Sequence, residues 1–591
     1  MKFEKLINQN NSSTTLQNHR LTFEFTSQPL WYAIQALPSL MELSNECSEQ
    51  LFSKYYANSI AFNIINSNPK IKQVIEQWKL LSPESFNSNL QNNQELKSVV
   101  LQETPWLLDA NNEQENKKRL ALYFDANTMN QELKNTIQKL SGMQLPNGAW
   151  PWFNGGFEDR YMTQLIVSGL GHLNQLGITS LRFNQSAWQM LQNAIIYMDD
   201  RVVEDFENIK KADKDWKKNN HLSSDIIQYL YARSFFKDIK YINNSTDALA
   251  YFKEQINVYW LKNNRYLQAM IALTAKRNNQ EQLAKDILKS LKENSLRNEE
   301  MGIYWKEQFE DYHWYESVIE MQALMVELFN EMKEDKTNIN ELRKFLLKSK
   351  QTQNWKTSRA TADAVYALLL NNQNELTDES LVELQLGDEK LTKDVKAEAG
   401  TGYFKKVWNT SEIKPELGKL KIKRKGNGFS WGALHWQYLE DMNKVTAHSG
   451  QLSVVKTCFV EQKNNSFGKK LEQLNNSTVL KLGDKVVVRL TIKTDRDLDY
   501  VHVKDLRAAC FEPTQVLSSY QWQNNIGFYQ STKDASTNFY FSRLKNGTYV
   551  FEYVLIATHA GKYSNGFANI QCFYTPEFNS HSEGISVEVK R

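Results

Sequence analysis

Residues 144–150 read QLPNGAW, and a shorter form of the same theme, QNW, occupies residues 353–355. Each stretch places a tryptophan after a glutamine and a turn. A threonine, Thr163 or Thr361, then follows near the start of an apolar helical segment. Helical hairpins that repeat in this way favour a closed α/α toroid. The alternative is two turns that share these residues by coincidence.

Helical spacing of apolar residues extends well beyond these two turns, from about residue 29 to residue 372. Roughly a dozen segments of ordinary helix length fit, joined by turns rich in Asn, Gly and Lys. Segments that show the pattern clearly are residues 51–65, 129–140, 161–173, 187–203, 223–236, 256–275 and 318–329. The middle of the chain is therefore predicted to be helical.

Both ends of the chain show the two-residue alternation of half-buried strands. Leu21, Phe23 and Phe25 alternate with polar residues before the helices, and Leu434 and Trp436 do so beyond them. Further alternating runs lie at residues 381–386, 420–422, 486–492 and 549–555, with turns at residues 482–484 and 545–547. The predicted fold class is therefore multidomain α + β, ending in an antiparallel β-sandwich.

The composition is that of a large folded protein. At 591 residues the chain exceeds a single hydrophobic core, so about three domains are expected. A net charge of +3 from 71 basic and 68 acidic residues gives no basis for nucleic-acid binding. The start, MKFEKL, lacks the apolar core of a signal peptide, and no apolar stretch reaches transmembrane length.

Four cysteines are too few and too scattered to predict a disulfide framework. They are Cys47, Cys458, Cys510 and Cys572, and no pairing among them can be assigned from their spacing. No CxxC pair indicates a zinc site, so the sequence predicts neither a metal nor a cofactor.

Residues 47–50 read CSEQ, which places the thiol of Cys47 three residues before the side-chain amide of Gln50. On a helix these two positions share a face, so the sulfur can attack the carboxamide, expel ammonia and leave an internal thioester. Such an activated acyl group is a reagent for one covalent reaction and not a turnover site. The alternative for Cys47 is a small buried core residue.

The surroundings of residues 47–50 resemble the alpha-2-macroglobulin family, in particular its bacterial members. The stretches that carry the resemblance around this motif are LTFEFTS at 21–27, PLWYAIQALP at 29–38 and FSKYYANSIA at 52–61. Towards the C-terminus they are YVHVKD at 500–505, FEP at 511–513 and DASTNF at 534–539. The resemblance spans essentially the whole chain, but only the C-terminal part of a typical family member.

This resemblance implies a domain order. Residues 1–28 are expected to be the first part of a small β (CUB-like) domain, and residues 29–372 an α/α-toroid thioester domain inserted into it. Residues 373–449 are expected to complete the small β domain. Residues 450–591 are expected to form a C-terminal macroglobulin-type β-sandwich.

The resemblance also implies a function, that of a broad-spectrum proteinase inhibitor. It would be a single-use covalent trap and not an enzyme, because a lysine amine of the proteinase attacks Gln50 and frees Cys47. Family members carry an export or lipoprotein signal, a bait segment and further macroglobulin domains upstream. The chain is therefore expected to be a fragment of a periplasmic or cell-envelope protein, whose membrane tether, where there is one, lies in the missing N-terminal part.

Two features of the family bear on the chemistry of the site. Related bacterial proteins shield the thioester with aromatic side chains of the last β domain, for which Trp522 and Tyr529 are the candidates here. Some members use a histidine on a later toroid helix to pass the acyl group to hydroxyls, but the equivalent position is Thr163. Direct aminolysis by lysine is therefore expected, with His172 an ordinary packed or surface residue. Glu49 is expected to face solvent, and the alternative is that it influences the local proton balance of the site.

Two other functions remain open. Polysaccharide lyases also join an α/α toroid to β-sandwiches, and the sequence YHWY at 312–315, which includes His313, offers the tyrosine and histidine that such an enzyme needs. The third possibility is a passive envelope scaffold in which Cys47 is an inert thiol.

Overall fold

The computed structural model describes residues 1–8, 14–41, 47–80, 126–242, 244–305, 318–352, 355, 357–378, 382–391, 397–425, 428, 430–463, 469–475, 478–523, 526–573 and 578–591. The YHWY sequence at 312–315, with His313, lies outside the described residues, as do Gln353 and Asn354 of the predicted repeat.

Six helices enclose a common axis, because each contacts the next and the last contacts the first. In chain order they are Ser48–Ser67, Arg160–Gln175, Ser224–Ser234, Arg265–Arg277, Val318–Glu331 and Ser358–Leu369, here called the first to sixth ring helices. The helices that precede them, one before each, are Trp31–Met41, Ala126–Met143, Gln185–Ala212, Thr246–Tyr259, Glu281–Glu293 and Lys336–Thr352. Further helices are Glu4–Ile7, Pro69–Leu80 and Ser180–Phe183. The helical segments predicted for this region are confirmed, with one exception.

The exception is the segment 256–275, which was predicted as one helix and is in fact two. The first part ends at Tyr259, and the fourth ring helix begins only at Arg265. Asn264 caps the new helix, since its side chain accepts a hydrogen bond of 2.9 Å from the backbone N–H of Leu267. Asparagine competes with the helical hydrogen bonds and favours such caps, so the apolar spacing continues across a real break.

Glycines allow neighbouring ring helices to approach closely. A Cβ atom on Gly169 of the second ring helix would lie 2.4 Å from the ring of Phe52 on the first. A Cβ on Gly171 would lie 2.4 Å from the ring of Phe235, at the end of the third ring helix. Any larger residue at these two positions would push the helices apart, because contacts this short do not occur between carbon atoms.

Three buried tryptophans fix the turns that lead into ring helices. Their indole N–H groups donate to backbone carbonyls of the preceding helices: Trp150 to Leu140 (2.8 Å), Trp305 to Leu291 (2.8 Å) and Trp355 to Leu346 (3.2 Å). Thr163 and Thr361 of the predicted repeat also hydrogen-bond to the backbone of Trp150 and Trp355, respectively. The sequence prediction missed Trp305, because no glutamine-led turn precedes it.

The strand before the ring pairs with strands that come after it. Gln17–Thr26 is the central strand of three, antiparallel to both Phe404–Asn409 and Trp431–Leu439. Its residues Phe23 and Phe25 are buried in a small separate core. A second sheet contributes to this core and consists of Glu389–Lys390, Val382–Leu386 and Leu420–Arg424. The ring is thus flanked in sequence by the parts of one β unit.

The C-terminal part of the chain is built from two larger antiparallel sheets. The first contains, in spatial order, Lys469–Gln473, Leu452–Lys463, Lys485–Thr494, Gly547–Ala557 and Phe511–Pro513. The second contains Ser519–Gln523, Ile526–Lys533, Ser536–Leu544, Leu498–Leu506, Ala568–Cys572 and Asn579–His581. A smaller sheet of this part consists of Val479–Lys481, Ser586–Lys590 and Gly561–Ser564. Outside it, Leu296–Asn298 and Gly302–Tyr304 form a two-stranded sheet between the helices Glu281–Glu293 and Val318–Glu331. Apolar residues of both large sheets share one core, as in a β-sandwich.

Candidate functional site

Cys47 lies at the start of the first ring helix. It is the N-cap residue, with extended backbone angles (φ −84°, ψ 159°), and its carbonyl accepts the first helical hydrogen bond, from the N–H of Leu51 at 3.0 Å. Gln50 is therefore the third helical residue. Residues three apart on a helix are neighbours on its surface, so Cys47 and Gln50 occupy neighbouring positions at the start of the helix.

The immediate surroundings of this pair are largely closed to solvent. Cys47 is 7% exposed and takes part in no disulfide. Within the described part of the chain, the buried side-chain oxygen Oε1 of Gln50 has no hydrogen-bond partner. A buried amide oxygen without a donor costs stability.

The turn that follows Trp150 lies over the beginning of the first ring helix. The backbone N–H of Ser48 donates to the carbonyl of Trp152 at 3.0 Å, and its hydroxyl donates to the carbonyl of Pro151 at 2.6 Å. Ser48 is completely buried by this contact. The predicted QLPNGAW turn therefore has a second role, since its continuation holds the residue directly after Cys47.

The sequence predicts that Glu49 faces solvent, but in the structure its side chain forms hydrogen bonds within the protein. Its oxygen Oε1 accepts hydrogen bonds from the hydroxyls of Ser53 (3.2 Å) and Ser358 (2.6 Å). Ser358 is the first residue of the sixth ring helix, so Glu49 links the two ends of the helical ring. The expectation was wrong because the partner lies 309 residues away in sequence.

A cavity of about 50 Å³ lies inside the ring, and all six ring helices line it. The first ring helix contributes Glu49, Phe52, Ser53 and Tyr56. The hydroxyl of Tyr56 is buried and has no hydrogen-bond partner among the described residues. The helical face next to Cys47 and Gln50 thus borders a small interior that is lined by both apolar and charged side chains.

Charged and aromatic residues of this interior form a connected network. The hydroxyl of Tyr231 donates to Glu327 at 2.5 Å and therefore accepts from Nε2 of His172, which lies 2.8 Å away. The imidazole stacks on the ring of Tyr366 with centroids 4.0 Å apart. The hydroxyl of Tyr366 and the guanidinium of Arg277 both donate to Glu327, at 3.0 and 2.6 Å. His172 is thus a packed interior residue.

Two groups of the interior have strongly shifted pKa values: His172 and Asp363, whose Oδ1 lies 3.9 Å from Nδ1 of the imidazole. Burial, together with the positive charges of Arg277 and Arg359, lowers the pKa of His172 to about 3. Burial and nearby glutamates, opposed by Arg359, raise the pKa of Asp363 to about 7. At neutral pH the histidine is therefore uncharged, and the aspartate carries a proton part of the time.

Thr163, the residue that the sequence resemblance sets in place of an acyl-transferring histidine, has a structural role. It is fully buried, its hydroxyl donates to the carbonyl of Asp159 at 2.8 Å, and it accepts the N–H of Trp150 at 3.0 Å. The hydroxyl is therefore occupied on both sides by backbone groups of its own turn.

The structure places Trp522 and Tyr529 on a hairpin of the β-sandwich. Trp522 is 76% exposed and lies across from Gly527 of the neighbouring strand. Tyr529 is half-buried and packs against Tyr520, with ring centroids 5.2 Å apart. Among the described residues, no hydrogen bond, ion pair or ring contact joins either aromatic residue to residues 47–50. Cys47, Glu49 and Gln50 thus share the first turn of one helix, and the shielding role of Trp522 and Tyr529 stays a prediction.

Of the helices within the described ranges, none has both the length and the apolar character that a bilayer crossing requires.

Residues 452–577 match the family described as the bacterial alpha-2-macroglobulin MG10 domain. Among solved structures, native alpha-2-macroglobulin from Escherichia coli, from domain MG7 to the C-terminus, is 13% identical, with a TM-score of 0.38 over 97% of this chain and 78% of that one. Trypsin-activated alpha-2-macroglobulin from Escherichia coli is 13% identical, with a TM-score of 0.43 over 99% and 34%. Salmonella alpha-2-macroglobulin reacted with methylamine is 13% identical, with a TM-score of 0.35 over 98% and 32%. The chain thus spans about a third of the length of the trypsin-activated and the methylamine-reacted proteins. No curated protein matches the chain.

Proposed function

We propose that the chain is the C-terminal portion of a proteinase trap. The premise of this proposal is that the C-terminal part of the chain belongs to the bacterial alpha-2-macroglobulin family. The reactive group of the trap is an internal thioester between Cys47 and Gln50. The observation that carries the proposal is the placement of these two residues at the N-cap and third positions of one helix.

The placement suits the chemistry of thioester formation. The Cys47 sulfur attacks the side-chain carbon of Gln50, ammonia leaves, and no other reactant is needed. The unpartnered Oε1 of Gln50 supports the proposal, because a thioester carbonyl is a weaker acceptor than an amide and tolerates a site without donors. The helix N-terminus also favours negative charge, which develops on the sulfur when an amine later displaces it.

The helical ring is the proposed α/α-toroid thioester domain, at residues 29–372. The flanking strands, in residues 1–28 and 373–449, would form the small β domain into which it is inserted. The pairing of Gln17–Thr26 with strands on the far side of the ring supports this reading. Residues 450–591 would be the C-terminal macroglobulin-type domain.

The proposed partners are proteinases. Cleavage of a bait segment, which lies outside this chain, would expose the thioester, and a lysine amine of the proteinase would then attack the Gln50 carbonyl. The product is an amide cross-link and a free Cys47 thiol. Such a trap acts once and outside the cytoplasm, in the periplasm or cell envelope, together with upstream macroglobulin domains.

Intact mass is the direct test of the thioester. Protein purified without amines should be lighter by one ammonia than its sequence, and three of its four cysteines should titrate after denaturation. Methylamine should then add its own mass and release the fourth thiol, because aminolysis opens the bond.

The matched control compares the replacement of Cys47 with the replacement of another cysteine. Cys47→Ala should abolish both the ammonia deficit and the methylamine adduct, whereas Cys572→Ala removes another buried thiol and should leave both unchanged. A chain that shows no ammonia deficit from the outset, with four titratable thiols, would remove the proposed function.

The exposed hairpin of the sandwich is the proposed shield. Val516, Leu517, Tyr520 and Trp522 are each at least 66% exposed, and a contiguous apolar strip of this kind marks an interaction surface. We expect Trp522→Gly to speed the methylamine reaction about tenfold, which corresponds to a loss of about 1.4 kcal/mol of shielding. The rate of thiol release measures the effect.

Two variants separate shielding from folding. Leu482→Gly, at an exposed apolar position of the sandwich that is not part of this strip, should leave the rate near that of the original chain. Tyr529→Gly should raise the rate of thiol release when Tyr529 is part of the shield. When Tyr529 is a packing residue, the variant should instead lower the melting temperature and leave the rate unchanged. Equal rates for Trp522→Gly, Tyr529→Gly and the original chain would contradict the shield proposal.

The lyase alternative gains no support from the cavity inside the ring. Its histidine, tyrosines and carboxylates are suitable groups, but its volume of about 50 Å³ is far below the roughly 300 Å³ of the smallest usual ligand pockets. A scaffold with an inert Cys47 remains the outcome that full intact mass would indicate.

A further inference from the structure

A lysine and an aspartate lie side by side between the two large sheets of the sandwich. Lys456 belongs to the strand Leu452–Lys463 and Asp505 to the strand Leu498–Leu506, which are in different sheets. Their side chains are 1% and 0% exposed, and the Lys456 nitrogen Nζ lies 2.8 Å from Oδ1 of Asp505. Removing such a pair of charges from water is expensive, so the interior favours any route that neutralises both.

The surroundings of Nζ hold the amine beside the carboxyl group. It donates to two backbone carbonyls, those of Leu506 (2.5 Å) and Asn565 (3.1 Å). An ammonium has three N–H groups, so these two bonds leave one N–H unused while the nitrogen lies 2.8 Å from Oδ1 of Asp505.

The carboxyl group is held in a complementary way. Its oxygen Oδ1 has no hydrogen-bond donor in the described ranges, because the contact with Nζ does not have hydrogen-bond angles. The other oxygen, Oδ2, accepts the hydroxyl proton of Tyr553. Burial raises the pKa of Tyr553, and the neighbouring Asp505 raises it further, so the phenol keeps its proton and can supply it to a leaving oxygen.

The thiol that lies nearest in this network does not compete as a nucleophile. Cys458 accepts a hydrogen bond of 3.4 Å from the side-chain amide of Asn565. Burial raises the pKa of Cys458 to about 11, which keeps the sulfur protonated and unreactive near neutral pH.

From this geometry we propose that Lys456 and Asp505 form an intramolecular amide bond that joins the two sheets. The Lys456 nitrogen attacks Cγ of Asp505, a C–N bond forms, and the bond from Cγ to Oδ2 breaks. Oδ2 leaves as water with the two protons that the ammonium gives up, one of them relayed through the Tyr553 hydroxyl. The ammonium and carboxylate are thus converted to one neutral amide and one water, and no further reactant is required.

The mass test is best made in the Cys47→Ala chain, where no ammonia can be lost through the thioester. We expect this chain to be lighter by one water than its sequence, and insensitive to methylamine and to reducing agents. Trypsin should fail to cleave after Lys456, and the digest should contain a branched peptide that includes both Lys456 and Asp505. The deficit does not depend on the proposed function, because thioester formation loses ammonia and is reversed by methylamine.

Two variants control the result. Lys456→Arg keeps the positive charge beside Asp505 but offers no primary amine, so it should have full mass and a lower melting temperature than the cross-linked chain. Asp505→Asn, when it folds, should lose ammonia in place of water and give the same branched peptide. A succinimide at Asp505 would also lose one water, but would leave Lys456 open to trypsin. Cleavage after Lys456, or full mass of the Cys47→Ala chain, would show a permanent ion pair and overturn the proposal.

Discussion

Replacement of Arg277 by methionine should lower the free energy of unfolding of the helical ring by about 3–5 kcal/mol. The Arg277 side chain is 8% exposed and donates to Glu327 at 2.6 Å and to Glu331 at 2.5 Å. It also donates to the hydroxyl of Ser234 at 2.9 Å. Methionine fills much of the same volume, but it leaves Glu327, which is 1% exposed, without its cation. Breaking a buried pair on one side is costly because the remaining charge has no water to solvate it.

The neighbouring residue provides a matched control for this substitution. Lys276 pairs with Glu281 at the protein surface, where water screens the charges and an ion pair contributes little. We therefore expect Lys276→Met to change stability much less than Arg277→Met. Urea unfolding followed by the helical circular dichroism signal compares the two. The double variant Arg277→Met, Glu327→Met should recover part of the loss, and equal effects of the two single variants would contradict the prediction.

The charged interior of the ring shows what sequence periodicity cannot predict. In the fifth ring helix, Glu320 and Glu327 are two turns apart, and such a spacing ordinarily indicates the solvent-facing side of an amphipathic helix. Both are buried, at 3% and 1% exposure, because a helix in the ring has neighbours on two sides. The apolar spacing therefore predicted the helix correctly, but it could not show that the polar face points to the ring axis.

The candidate site was predictable where its residues are close in sequence. Cys47 and Gln50 follow from a four-residue motif, and the turn at Trp150 from a repeated pattern. The partners from distant parts of the chain were not predictable: Ser358 binds Glu49 across 309 residues, and Pro151 binds Ser48 across 103. Serine and proline are common in turns and caps, so nothing in the local sequence indicates that these two meet the start of the first ring helix.

The interior of the ring should also respond to pH, with opposite contributions from His172 and Asp363. The pKa of His172 falls from 6.5 to about 3 on folding, so its contribution to stability is present above about pH 6.5 and is lost as the pH falls. The pKa of Asp363 rises from 3.8 to about 7, so its contribution is present below about pH 4 and is lost as the pH rises to 7. Between these limits each changes the free energy of unfolding by up to about 1.4 kcal/mol per pH unit, in opposite directions.

Removing one of the two groups should therefore reveal the pH dependence of stability that the other contributes. Asp363→Asn should make the ring less stable on acidification from about pH 6.5 to 4.5, because the His172 contribution is no longer balanced. His172→Gln, whose amide can still donate to Tyr231, should instead become less stable as the pH rises over the same interval. Urea unfolding at several pH values, with each variant compared with the original chain, cancels the groups that they share. For each variant, the quantity compared is the slope of the free energy of unfolding against pH, relative to the original chain. Slopes of the same sign for the two variants would show that the two groups do not titrate as the buried network requires.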